Sequence, residues 1–250
     1  MRGAVLAALV FGAGGQPASP RVDRSHAAWT ALLQRYDHAG FVDYAGIARE
    51  GRGAVQAYLA SLAAVNAGEY QAWSRADQMA FWIDAYNASV VELVLMHYPI
   101  RSIREIGFLP LAAFRERFIP IALLGAPPLS LNAIEDHLRA CGDPRVHFAL
   151  VCASKSCPPL RTEAYRGADL DAQLDDQARR FLADPAKNRF DAAADVLYLS
   201  KIFDWYAKDF GPGPVTDFVA RYAPPGIVTA LARPTPLVEY LDYDWSLNWR

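Results

Sequence analysis

Residues 75–97 read RADQMAFWIDAYNASVVELVLMH, a stretch that is apolar on most sides when it is drawn as a helix. Ser74 precedes it and Asp77 follows at the third helical position, a pairing that resembles a capping box at a helix N-terminus. Tyr98-Pro99 ends the helix because the residue before a proline disfavours the helical conformation. A helix that is apolar all round is typical of a protein core. The stretch therefore predicts a central helix on which the rest of the chain packs.

Weaker patterns surround this helix. Two amphipathic helices precede it, and short strands alternate irregularly with further helices after it. An apolar run over residues 146–151, interrupted by His147, predicts a fully buried strand. The other predicted elements are strands over 118–123, 129–131 and 196–199, and helices over 131–139 and 170–182. Without a regular strand–helix–strand alternation, we expect one α+β domain over residues 25–250, mostly helical, with a small central and largely antiparallel sheet.

The composition excludes several classes of protein. The chain has 250 residues, a formal net charge of −2, 53% hydrophobic residues and 21% charged residues. This balance is not that of a disordered protein, and it gives no basic footprint for nucleic acid. Three cysteines cannot form a disulfide scaffold. The chain has no glycine-rich phosphate loop, paired CxxC motif or HExxH motif, so we expect neither a cofactor nor a metal.

The N-terminus differs from the rest of the chain. Met1-Arg2 carries one positive charge, and residues 3–15 are small or apolar. Ala13-Gly14-Gly15 has the small residues of a signal-peptidase site, so residues 1–15 predict a secretory signal and a periplasmic or secreted protein. An N-terminal helix or a mis-assigned start is the alternative. No membrane span is expected, because charged residues interrupt the nearest candidate, residues 79–96.

Reactive side chains are densest between residues 135 and 157. A nucleophilic cysteine needs a base to form its thiolate, and the base needs a group that orients it. Cys152 is the candidate nucleophile because small residues follow it and free backbone N–H groups there could bind an oxyanion. His147 is the candidate base, and Glu135 is the candidate orienting acid.

Other interpretations of these residues remain open. His147 lies five residues before Cys152, which puts the two on opposite faces of an ideal strand unless Cys152 lies beyond the strand end. Both residues could simply belong to the core. Cys152 and Cys157 could instead form a disulfide. A zinc site is a weaker alternative, formed by His137, Cys141, His147 and Cys152.

Asn87, in the middle of the central helix, is a second candidate. Its amide could contact substrate or an oxyanion, or it could bond a neighbouring loop, which is the usual fate of a buried amide. With Ala153, Ser154 and Lys155, which follow Cys152, it completes the predicted substrate-binding set. The charged residues of the segment 199–210, LSKIFDWYAKDF, are expected to be ordinary solvated charges.

Several of these segments carry a family resemblance. FWIDAYNA (81–88), LSLNAIEDHL (129–138), VHFALVCASKSCPPLR (146–161) and LSKIFDWYAKDF (199–210) resemble, in this order, the proteins of the DUF547 family, a domain of unknown function. The similarity spans roughly residues 76–223. Bacterial members of that family often carry export signals, and plant members carry the domain beside leucine-zipper segments. This chain departs from the family pattern at Asp84 and Asp136, where Asn and His are usual.

The resemblance also implies a chemistry. The family has been likened to papain-like and transglutaminase-like enzymes, which implies Cys152 as nucleophile, His147 as base and Glu135 as acid. The leading hypothesis is therefore an exported cysteine hydrolase or acyltransferase that acts on an amide, peptide or thioester. One alternative is a non-catalytic domain that binds a peptide or protein through its aromatic C-terminus. The other is a thiol-redox protein using Cys152 and Cys157, ranked last because the spacing is not that of a CxxC motif. A small peptide or a thiol-containing molecule is the expected substrate.

Overall fold

A computed structural model describes residues 23–233 and 237–249. The predicted secretory signal, residues 1–15, lies outside the described residues. The helices are α1 (Ala27–Tyr36), α2 (Tyr44–Gly46), α3 (Arg52–Ala63), α4 (Ala67–Gln71), α5 (Arg75–His97), α6 (Ala112–Arg115), α7 (Leu131–Arg139), α8 (Val146–Ala149), α9 (Leu170–Ala183), α10 (Ile202–Trp205), α11 (Val215–Tyr222) and α12 (Pro225–Leu231). The strands are β1 (Asp37–His38), β2 (Phe41–Val42), β3 (Arg117–Ile119), β4 (Leu129–Ser130), β5 (Arg189–Asp191), β6 (Val196–Leu199) and β7 (Leu237–Tyr240). A π-helical turn over Ile47–Gly51 and single 3-10 turns over Ile103–Glu105 and Ala207–Phe210 complete the elements.

The central helix forms as predicted. It begins at Arg75, where the Ser74 hydroxyl accepts a 3.0 Å hydrogen bond from the Asp77 N–H, and it ends before Tyr98. Its residues 79–95 are all buried. By length and composition α5 could also cross a membrane, but a buried core helix meets the same criterion, and almost all of its apolar window is covered by protein.

The α+β class is confirmed. Helices dominate, and the strands form three small sheets: β1 with β2, β3 with β4, and β5-β6-β7. All pairs are antiparallel except β6 with β7. The turn at the start of α7 also follows prediction, because the Ser130 hydroxyl accepts the Ala133 N–H.

The predicted strand over residues 146–151 is wrong, since Val146–Ala149 forms the short helix α8. Pro144 and Asp143 begin a helical turn, in which the Asp143 carbonyl accepts the Val146 N–H and the Pro144 carbonyl accepts the His147 N–H. A short apolar run does not distinguish a buried strand from a buried helical turn. The correction matters for the site, because the two-residue period of a strand no longer separates His147 from Cys152.

Helix α8 lies where two clusters of buried apolar side chains meet. Val146 and Ala149 belong to the larger cluster, which is built on α5, whereas Phe148 belongs to a cluster of α9, β6, α10 and α11. The chain after α8 is held by residues 243–249, here called the C-terminal strap. Backbone hydrogen bonds run from the Lys155 N–H to the Ser246 carbonyl and from the strap's Asn248 N–H to the Ala153 carbonyl.

Candidate functional site

A cavity of about 400 Å³ opens beside α8. Its wall comes from α5, α6, α7, α8, α10, the loop after α8 and the C-terminal strap. The polar and reactive lining residues are Tyr86, Arg115, Asn132, Glu135, Asp136, Arg139, His147, Cys152, Cys157, Tyr206 and Tyr243. The predicted nucleophile, base and acid thus share one cavity. Aromatic and aliphatic side chains line the rest of it, and the rings of Trp205, Tyr243 and Trp245 pack against one another with centroids 4.7–5.9 Å apart.

Cys152 and Cys157 form a disulfide at the cavity wall. Their Cα atoms are 6.1 Å apart, within the usual range for such bonds. This is the pairing that the sequence left open as an alternative. Among the described residues Cys141 is the free cysteine, and it lies half-buried near the end of α7.

The two sulfur atoms have different surroundings. Cys157 is buried, and its Sγ accepts hydrogen bonds from the Cys152 N–H at 2.9 Å and from the Tyr243 hydroxyl at 3.2 Å. Cys152 is only half-buried, with its Sγ 3.1 Å from the Ser154 hydroxyl and 3.3 Å from that of Tyr243. Cys152 is therefore the more accessible sulfur. Both sulfur atoms lie within hydrogen-bond distance of hydroxyl groups, and Cys157 also receives the Cys152 N–H.

His147 is held by the carboxylate of Asp209, which lies in the 3-10 turn after α10. Its Nε2 lies 2.8 Å from Asp209 Oδ2, and Arg139 donates two hydrogen bonds, of 2.6 and 3.2 Å, to the same carboxylate. Arg139 keeps the pKa of Asp209 below its ordinary value, so this side chain is an anion. Burial lowers the pKa of His147 to about 4, although Asp209 opposes the shift. At neutral pH the ring is therefore neutral, with its proton on Nε2 facing the carboxylate and a free lone pair on Nδ1.

Glu135 is connected to His147 through Tyr206. The Tyr206 hydroxyl donates a 2.7 Å hydrogen bond to Glu135 Oε1, and the Tyr206 ring lies 4.2 Å from the His147 ring. Burial raises the pKa of Glu135, and the Arg139 guanidinium lies over the Tyr206 ring. The contact that orients His147 directly is thus the one from Asp209, and the predicted role of Glu135 as its acid remains a prediction.

Sequence reasoning missed three of these residues: Asp209, Arg139 and Tyr206. The expectation of a solvated charge does not fit Asp209, which the ion pair with Arg139 and the bond to His147 hold in place. A signal did exist, because Asp209 and Tyr206 both lie in LSKIFDWYAKDF, one of the segments that carry the family resemblance. No pattern within that segment indicates that Asp209 contacts His147.

The predicted substrate-binding residues are dispersed. Asn87 donates to the Ala149 carbonyl and accepts the Val151 N–H, both at 2.9 Å, which is the loop bond considered as its alternative role. Ser154 is buried against the Cys152 sulfur, and Lys155 is exposed. Ala153 is buried with a positive φ of 60°, a conformation uncommon for residues other than glycine. Their roles towards a substrate stay predictions.

The zinc alternative gains no support. The part of the chain that the structure describes contains no group of three or more His, Cys, Asp or Glu side chains that could hold a metal ion. In the alternative ligand set, Cys152 is bonded to Cys157 and His147 is bonded to Asp209.

The site defines a class of protein: an α+β domain with a disulfide and a carboxylate-bound histidine on the wall of one aromatic cavity. Residues 70–182 match the model of the family described as "Protein of unknown function, DUF547". This match supports the resemblance to the DUF547 family that the sequence predicted, over this part of the chain. The match includes both sulfur atoms, His147 and Glu135, while Asp209 and the C-terminal strap lie outside it. The comparisons with curated proteins and with solved structures find no match.

Proposed function

We propose that this protein catalyses thiol–disulfide exchange through the Cys152–Cys157 pair. The observation that carries the proposal is the contrast between the two sulfur atoms. Cys152 faces the cavity, where a thiol can reach it. Cys157 is buried and receives the Cys152 N–H, and the Tyr243 hydroxyl lies within hydrogen-bond distance of both sulfur atoms. Exchange is faster when the leaving sulfur is a stabilised thiolate, and these donors stabilise negative charge on Cys157.

The reaction balances with two partners, a substrate thiol and an acceptor disulfide. The substrate thiolate attacks Cys152 Sγ, a new S–S bond forms, and the bond to Cys157 breaks with its electron pair leaving on Cys157. A second substrate thiolate releases the first as a disulfide and leaves both cysteines reduced. A low-molecular-mass disulfide then reoxidises the pair by the same steps in reverse order. His147 lines the same cavity, and the Asp209 carboxylate would stabilise the charged ring that forms when a proton is transferred from an incoming thiol.

The cavity limits the substrate. About 400 Å³ fits a small thiol or the cysteine side chain of a peptide, and the aromatic wall favours apolar neighbours of that thiol. We place the reaction outside the cytoplasm, where the predicted secretory signal would send the chain and where disulfides persist.

Trapping the mixed disulfide tests this proposal. In the variant Cys157→Ser, Cys152 should form a stable mixed disulfide with a small disulfide such as oxidised glutathione, detectable by intact mass. The matched variant Cys152→Ser should react far more slowly, because Cys157 is buried. Cys141→Ser should leave the reaction unchanged. A native disulfide that excess dithiothreitol cannot reduce without unfolding the protein would overturn the proposal in favour of a structural bond.

A second candidate function belongs to the reduced protein. His147, which lines the same cavity as Cys152, is hydrogen-bonded to Asp209, and this pair favours a cysteine hydrolase or acyltransferase. After reduction, His147 would accept the Cys152 proton, and the thiolate would attack an amide or thioester carbonyl. The amine or thiol would then leave with that proton, and water or an acceptor amine would release the acyl group.

Alkylation of the reduced protein distinguishes the two functions. An activated Cys152 should react with iodoacetamide near neutral pH much faster than Cys141, and His147→Ala should slow it. Equal and slow alkylation of all three thiols would contradict the hydrolase. A domain that only binds peptides, the remaining alternative, would keep its function in Cys152→Ser.

A further inference from the structure

An exposed apolar loop lies next to the cavity that holds the disulfide. Residues 108–111, Phe-Leu-Pro-Leu, form an apolar loop tip in which Phe108 is fully exposed and Leu109 is 66% exposed. The loop is pinned at its base, where Gly107 approaches Ala112 so closely that a Cβ at position 107 would lie 2.6 Å from the Ala112 Cβ. Gly107 has a φ of +79°, which favours glycine. The apolar tip therefore projects from a fixed turn.

The residues around this loop tip are basic. The segment 101–117 contains four arginines and two glutamates, in a chain whose net charge is −2. The four arginines are Arg101, Arg104, Arg115 and Arg117, and all of them are exposed. The ion pairs among the described residues involve none of these four. Their charges are thus available to an anionic surface.

The loop tip is continuous with the cavity. Leu111, Phe114 and Arg115 line the cavity, and the Arg104 guanidinium lies 5.6 Å from the ring of Trp245 on the cavity wall. A surface that covers Phe108 and Leu109 would therefore lie next to the opening that leads to the sulfur atoms.

We propose that the loop tip docks this protein on an anionic phospholipid bilayer. Phe108 and Leu109 enter the boundary between headgroups and acyl chains, and the four arginines contact the phosphate groups. Exposed apolar side chains flanked in the chain by basic residues are a combination that favours binding to such surfaces. The proposal is independent of the thiol–disulfide reaction and goes beyond it.

Vesicle sedimentation tests the proposal. The purified protein should sediment with vesicles of phosphatidylcholine mixed with phosphatidylglycerol, and much less with vesicles of phosphatidylcholine alone. Raising the salt from about 0.1 M to about 1 M should weaken binding, because the screening length falls from about 10 Å to about 3 Å. The double variant Phe108→Ser/Leu109→Ser should lose affinity by about tenfold or more, because two apolar side chains no longer leave water.

A matched control replaces two other exposed apolar residues. Val228→Ser/Leu237→Ser removes exposed apolar surface elsewhere and should bind vesicles like the native protein. Circular dichroism and thermal melting should confirm that both double variants fold. Failure of the native protein to bind anionic vesicles, or equal loss in both double variants, would overturn the proposal. So would self-association that the loop variant abolishes without any vesicle binding, because the tip would then be a contact between copies of the chain.

Discussion

Replacing Tyr243 with phenylalanine should slow reduction of the disulfide. The Tyr243 hydroxyl lies 3.2 Å from Cys157 Sγ and 3.3 Å from Cys152 Sγ, so it can donate to the Cys157 thiolate as that sulfur leaves. Its ring packs against Trp205 and Trp245, contacts that phenylalanine keeps. The substitution therefore removes one hydrogen bond and little packing. In the native disulfide this bond is weak, but it strengthens as Cys157 gains negative charge on leaving.

The size of the effect follows from how much charge Cys157 carries in the transition state. A hydrogen bond to a charged group contributes about 1.5–3 kcal/mol. The transition state of exchange develops about half of a full thiolate charge, so about 0.7–1.5 kcal/mol of this should be lost. The reduction rate should then fall by about threefold to tenfold, since 1.36 kcal/mol corresponds to a factor of ten. The assay is reduction by excess dithiothreitol, quenched with acid and followed by intact mass.

Tyr240→Phe provides the matched control. It removes the same hydroxyl three residues earlier, where the ring lies near Lys201 and away from both sulfur atoms, and it should be reduced at the native rate. A role of Tyr243 in shielding the disulfide makes a different prediction. If Tyr243 merely shields the disulfide from attack, Tyr243→Phe will be reduced faster than the native protein. An unchanged or faster rate would refute the claim that Cys157 is stabilised as the leaving sulfur.

Three further substitutions test the site and the core. Asp209→Asn should lower the pKa of His147 further below its ordinary value, because the carboxylate favours the charged ring; an NMR titration in which the variant's His147 pKa equals or exceeds that of the native protein would contradict this. Burial raises the pKa of Asp37 from 3.8 to about 6, so its contribution to stability is lost as the pH rises through that value. Asp37→Asn, which can still accept the Gly40 N–H, should therefore be more stable than the native protein by roughly 1–2 kcal/mol at pH 7 and equal to it near pH 4, measured by urea unfolding. Phe148→Ala should lower the free energy of unfolding by about 3–5 kcal/mol in the same assay, because this fully buried ring packs on four other phenylalanines.

Local signals predicted much of the helical framework. The start of α5 is set by Ser74 and Asp77, and that of α7 by Ser130, so both helices begin where the sequence places them. Each signal is a contact between residues three positions apart, so both partners can be recognised within a short stretch of the sequence. The family resemblance likewise depends on short contiguous segments.

The error at residues 146–151 has a different origin. Val146, Phe148 and Ala149 are buried on different sides, against two separate clusters, so the run is apolar at every position except His147 and has no periodicity. A strand of a buried sheet and a helical turn between two clusters then have the same sequence pattern. The preceding turn at Asp143 and Pro144 decides the outcome, and its hydrogen bonds are not visible as a pattern of apolar residues.

The sequence could predict the pair of cysteines but not the groups that set the reactivity of the disulfide and of His147. Cys152 and Cys157 are five positions apart, so a disulfide between them could be considered from spacing alone. The donor to Cys157 comes from Tyr243, which is 86 positions further along the chain, and the carboxylate on His147 comes from Asp209, which is 62 positions away. Contacts at such separations exist only after the two cores have packed. The reactivity of the disulfide should therefore depend on the C-terminal strap, since that strap both supplies Tyr243 and holds the cysteine loop through its backbone hydrogen bonds.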